Sequence, residues 1–169
     1  MVRRLACAGA LAAGIAAAPA AAQDNGSATV SFEVMKPSLA VEAAEAARAH
    51  CLDEGYQVAA AVVDRFGVTQ ALVRSRYAGP HTVDTAKRKA YTAVSFRTDT
   101  LSLVEPTQAS SLQAGARDIP NVLMLGGGEP VRSGGSLIGA VGVSGAPSGE
   151  EDAACAEAGI AAISDDLAF

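Results

Sequence analysis

One stretch constrains the fold more than any other: residues 139–151, GAVGVSGAPSGEE. It reads as a buried strand, a glycine-rich turn and the capped start of a helix. Ala140, Val141 and Val143 are the apolar run, and Gly142 and Gly145 permit a bend or a close backbone approach. Pro147 ends the strand because it has no N–H for a ladder. Ser148 is placed to cap the helix, and Ser148-x-x-Glu151 fits a capping box. Such a strand-turn-helix converges backbone N–H groups, so Gly145 and Ser148 are candidates to hold an anionic group. The competing reading is a helix whose N–H groups are satisfied by Ser148 and Glu151. Glu150, Glu151 and Asp152 favour it, since they suit the positive helix end and oppose an outside anion. The same stretch is no serine nucleophile elbow. Ala146 stands where G-x-S-x-G needs glycine, and both histidines, His50 and His81, precede Ser144.

The chain has 169 residues, enough for one ordinary domain with a sizeable core. Residues 1–22 read as a secretory signal peptide: Arg3 and Arg4, then an alanine-rich apolar stretch, then Ala20-Ala21-Ala22 before Gln23. The expected product is a single exported domain of residues 23–169, periplasmic or secreted. The net charge of −5 becomes −7 without Arg3 and Arg4. That balance argues against nucleic acid and against an anionic membrane surface. Cys51 and Cys155 remain after cleavage. Export permits a disulfide, but each cysteine falls in an expected helix, and two separately buried thiols are the expectation.

In chain order, residues 23–30 are a polar arm and residues 31–35 a short edge strand. A helix runs over 39–54 on a stripe of Leu39, Ala43, Ala46, Ala47 and His50, and Gly55 ends it. Residues 56–64, YQVAAAVVD, form a central strand, because the run is almost continuously apolar. Arg65-Phe66-Gly67 turns it into a partner over 68–75, with Val68, Leu72 and Val73 as core candidates. A second helix starts at His81 or Thr82 and runs to Phe96, burying Val83, Ala86, Ala90, Ala93 and Val94. Asp84, Lys87, Arg88, Lys89 and Tyr91 read as a solvated face with weak pairs. A helical piece follows at 101–104, and residues 106–116 are a short helix or loop. A strand is expected at 120–125, a tight turn at 126–130, a short return at 131–132 and a last strand at 136–144. The terminal helix covers 151–163, with Ala154, Ala158, Ala161 and Ala162 allowing close packing. A hairpin and a later meander with helices between them make an α+β fold with an antiparallel sheet. The small number of aromatic residues suggests thin helix–sheet packing and further burial by oligomerisation.

Gly126-Gly127-Gly128 is neither a dinucleotide loop nor a P-loop, since the third glycine and the Lys-Ser/Thr are missing. His81 follows Gly79-Pro80 in a loop, where it offers an axial iron ligand or a general base, or simply a cap. Tyr77 offers a phenolate in the same loop. Lys87 or Arg88 can hold a carboxylate.

Five segments resemble the GlcG/HbpS family, which includes the C-terminal domain of PduO-type proteins. They are VAAAVVDRFG (58–67), AGPHTVDTAKRKAYTAVSFRT (78–98), Asp118-Ile119-Pro120, GGGEPV (126–131) and GAVGVSGAPSGEED (139–152). They keep the family's order over nearly all of the mature chain. The resemblance implies a profilin-like α/β/α architecture with a mainly antiparallel five-stranded sheet, and frequent homo-oligomers. The exported branch implies haem or another tetrapyrrole as cofactor, in sensing, storage or transfer. On that expectation His81 or Tyr77 meets iron, Lys87 or Arg88 a propionate, and Thr82 lines the pocket. The scarcity of aromatics favours a shallow or subunit-interface site. The alternatives are an enzyme acting on a small organic acid and a non-catalytic accessory oligomer of an exported oxidoreductase. In the enzyme, His81 would be the acid/base and the Gly127, Gly128, Gly145 and Ser148 region an oxyanion site.

Overall fold

The apolar run at residues 58–63 becomes the centre of a sheet because each of its two faces is covered by helices. In the computed structural model, which describes residues 28–167, helix α1 (Pro37–Asp53) leads into strands β1 (Ala59–Asp64) and β2 (Thr69–Arg74). Helix α2 (Thr82–Phe96) follows, then a turn-rich stretch with one 3-10 turn at Ala114–Asp118. Strands β3 (Gly128–Ser133) and β4 (Ser136–Ser144) and helices α3 (Gly149–Ala162) and α4 (Ser164–Leu167) complete the order. These elements belong to a unit of residues 32–169; residues 28–31 are exposed, with no helix or strand. The expected leader, residues 1–22, lies outside the described residues, as does most of the polar arm.

The sheet order is β2-β1-β4-β3, and every neighbouring pair is antiparallel. It has four strands rather than five. Residues 31–35 and 120–125 form no strand. The expected turn at 126–130 is shorter than its glycines suggest, because Gly128 already pairs with Gly142 and Pro130 with Ala140. Proline is tolerated there because β3 is an edge strand. Residues 101–104 form turns, not a helix.

Alternation along the strands divides the core. Val58, Ala60, Val62, Val141 and Val143 face α1 and α3, whereas Ala59, Ala61, Val63 and Ala140 face α2. The α2 side is built from alanine and glycine, so backbone meets backbone. A Cβ on Gly142 would stand 2.6 Å from Ala90 N. On the other face, a Cβ on Gly159 would stand 2.8 Å from Ala47 Cβ, so α3 lies close on α1. The close-packed residues of α3 are therefore Ala153, Cys155, Ala156 and Gly159; Ala154, Ala161 and Ala162 are exposed. The α1 stripe is likewise Ala40, Ala43, Ala44, Ala47 and Cys51, one residue out of phase with the expected one at several positions. Val68 and Leu72 are exposed, since β2 is the other edge.

Cys51 and Cys155 form a disulfide between α1 and α3, with Cα atoms 5.5 Å apart, instead of two separate thiols. The close α1–α3 approach brings the two half-cystines together. Among the described residues no helix is long and apolar enough to cross a membrane.

Candidate functional site

The loop before α2 is pinned from several directions. Arg74 Nη1 donates to Ala78 O, Ala78 N to Ser75 O at 3.1 Å, and Thr82 N and Oγ1 both to Gly79 O, at 3.0 and 2.7 Å. Tyr77 N donates to Gln57 Oε1 at 3.3 Å. Backbone groups of an exposed loop are thereby satisfied, and two side chains are left facing solvent. Tyr77 is 80% exposed, and neither its hydroxyl nor the His81 imidazole is hydrogen-bonded among the described residues. His81 caps α2 through its position rather than its side chain. The Nδ1–Cε1 edge of the ring lies over Gly79, where any Cβ would stand 2.6 Å from Cε1; Nε2 lies farther out. Glycine at 79 thus gives the ring its resting place.

The other expected site residues divide into two kinds. Lys87 is part-exposed and meets Asp84 at 3.8 Å, a weak surface pair that leaves the ammonium available. Thr82 is buried and spends its hydroxyl on Gly79 O. Arg88 Nη2 donates to Val122 O at 2.7 Å and ties the 119–125 segment to α2. Thr82 and Arg88 therefore hold the frame on which His81, Tyr77 and Lys87 are displayed.

The glycine-rich turns meet elsewhere, around Lys89, a residue expected on a solvated face. Lys89 is wholly buried, and its Nζ contacts Asp152 Oδ2 at 2.6 Å. Asp152 Oδ1 accepts from Ala146 N at 3.0 Å. Burial pushes the lysine down from its ordinary value and the aspartic acid up, and each partner's charge opposes the other's shift. The anion at the turn is thus the chain's own Asp152. Gly128 N donates to Thr100 Oγ1 at 2.8 Å, and Ser148 Oγ accepts from Glu150 N and donates to Glu150 Oε2. Glu150, rather than Glu151, is the reciprocal partner in the cap. Gly127, with φ of 110°, lies over the ion pair: a Cβ there would stand 2.6 Å from Asp152 Cβ and 2.9 Å from Lys89 Nζ. Gly127 lets backbone close over the pair, while Gly128 lies against the Lys89 backbone carbonyl and Gly145 against Gln57 and Val58.

Glu129 was not singled out from the sequence, and its neighbours in GGGEPV give little sign of a titrating strand residue. It is half-buried on β3, and burial together with the charges of Asp99 and Glu157 pushes its carboxyl up to about 7. The folded chain therefore holds this proton more tightly than the unfolded chain. The associated stability is present below the ordinary carboxylate range and is lost as the pH rises through about 7. Denaturation at about pH 5 and about pH 8 should show Glu129→Gln gaining about 1 kcal/mol on the wild type at the higher pH, solvent screening holding the figure down. A variant difference that is the same at both pH values contradicts this.

The family model described as "Haem degrading protein HbpS-like" matches residues 35–161. A crystal structure of a double mutant of Streptomyces reticuli HbpS is 40% identical, with a TM-score of 0.75, covering 86% of this chain and 97% of that one. The crystal structure of the PduOC:haem complex is 28% identical, with a TM-score of 0.72, covering 78% of this chain and 96% of that one. An uncharacterized 15.0 kDa protein of Citrobacter freundii is 35% identical over 104 residues, which span 60% of this chain and 73% of that protein.

Proposed function

Because the chain belongs to the HbpS-like family of haem degrading proteins, we propose that it is an exported haem-binding protein whose iron-facing residues are His81 and Tyr77. The observation that carries this reading is the loop at residues 75–82. Two side chains capable of ligating iron stand exposed on a backbone already fixed by hydrogen bonds, so little ordering is needed on binding. A haem complex of a similar fold supports it. Bound haem would supply an iron atom that takes an axial donor. The imidazole offers Nε2 for that purpose, since its other edge lies over Gly79.

The donor set fits haem at an open face rather than in a closed crevice. His81 and Tyr77 project from the surface, and Lys87 can exchange its weak contact with Asp84 for a propionate. A second copy of the chain would cover the haem that one chain leaves exposed, making the protein a homo-oligomer when loaded. A protein of this kind, placed in the periplasm or outside the cell, stores, senses or passes on haem.

The test is the iron's ligand field. His81→Ala is expected to weaken haem binding at least tenfold and to change the visible spectrum, with Tyr77→Phe tested beside it and Lys87→Gln costing a smaller factor. Equal affinity and identical spectra in His81→Ala and Tyr77→Phe would remove both residues from the site.

A further inference from the structure

At the end of α2 opposite His81, three arginines line one open cavity of about 390 Å³. Arg65 comes from the β1–β2 turn, Arg97 closes α2, and Arg132 comes from β3. Val94, Ser95 and Leu137 form part of the wall. The lining includes no aspartate or glutamate, and none of the three arginines has an ion-pair partner among the described residues. This concentration of positive charge stands in a chain of net charge −5. We propose that the cavity binds a small multivalent oxyanion, carrying two or more carboxylate or phosphate groups.

Two of the three guanidiniums are held in place. Arg65 lies 4.2 Å from the Phe32 ring centroid, and its Nη1 reaches Glu33 O at 3.4 Å. Arg132 Nη2 donates to Arg97 O at 2.9 Å. The Arg97 side chain makes no hydrogen bond among the described residues, so its planar fork is free for bidentate contact with an oxyanion.

The backbone at Arg97 points the same way. The residue has φ of 60° and ψ of 29°, the left-handed conformation in which glycine normally ends a helix. A side chain there is strained, and the Arg97 side chain makes no local bond that offsets the strain. The carbonyl end of α2 suits an arginine and opposes an anion, but its partial charge is about half a unit against three full positive charges. Arg132 already occupies one of the carbonyls concerned.

The site is separate from the haem face within one chain. Helix α2 has fifteen residues, so its ends are about 22 Å apart. That is longer than the reach from a haem iron to its propionates.

Calorimetric titration of the disulfide-intact protein with citrate and with pyrophosphate, against sodium chloride at matched ionic strength, tests the proposal. Saturable binding with a dissociation constant below about 1 mM is expected. Binding of citrate alone assigns the cavity to polycarboxylates, and binding of pyrophosphate alone assigns it to phosphates. Arg97→Gly should weaken binding at least tenfold while raising Tm, a combination that a purely structural arginine would not give. Arg132→Gln should also weaken it, and Arg48→Ala, on α1, should bind as the wild type does. Haem affinity should be unchanged in Arg97→Gly; its loss there would make the arginines a propionate dock and overturn a separate site. Absence of binding beyond the chloride control, or wild-type affinity in Arg97→Gly, overturns the proposal whatever the haem result.

Discussion

Asp152→Ala is expected to destabilise the protein by about 3–5 kcal/mol, because it leaves the Lys89 ammonium buried without its partner. It also strips the Ala146 N–H of its acceptor. Lys89→Met should cost less. The carboxylate then keeps its Ala146 backbone donor, and the methionine fills the space under Gly127. The asymmetry is the informative part. Two charges that served only each other would give similar losses on either side. Urea denaturation of the two single variants and of Lys89→Met/Asp152→Ala closes a double-mutant cycle. A loss below about 1 kcal/mol in Asp152→Ala, or a larger loss in Lys89→Met, would contradict the role given to the aspartate.

The second large effect concerns the α1–α3 staple. The Cys51–Cys155 disulfide closes a segment with a sequence separation of 104. Loop entropy in the unfolded chain places its contribution at about 3–5 kcal/mol. Cys51→Ser/Cys155→Ser should lower the urea midpoint accordingly, and reductant should do the same to the wild type. Alkylation before reduction should label neither residue. Two reactive thiols in the oxidised, purified protein would disprove the bond, and an unchanged midpoint in the double variant would remove its stabilising role. Its presence accords with the proposed export, since an oxidising compartment maintains such bonds.

How much of this was legible in the sequence depends on which physical signal each feature carries. The run at 58–63 was readable as a central strand because continuous burial leaves continuous hydrophobicity. Helix α2 was readable to its last residue from the spacing of Ala86, Ala90 and Ala93. Strand β3 was not, because Gly128 and Pro130 carry turn chemistry and a local reading cannot see that the strand lies at an edge. Lys89 was misplaced for a related reason. A charge on a helix is ordinarily solvated, and its buried partner lies 63 residues away. The disulfide needed the α1–α3 distance, which Gly159 and Ala47 set and no single segment encodes. That the loop before α2 displays His81 and Tyr77 was legible, but not the division of labour in which Thr82 and Arg88 turn inward to hold it. Arg97 and Arg132 carried no signal, since their approach depends on a helix end meeting an edge strand.

Haem binding itself is the claim on which the functional account stands. It is tested most directly by titrating haem into the wild-type protein of residues 23–169 and following the Soret band. The account predicts saturation at a fixed stoichiometry, with a shifted band and a sharp end point, and a larger assembly on loading. A linear rise with no end point, matched by a non-binding control protein, would contradict it.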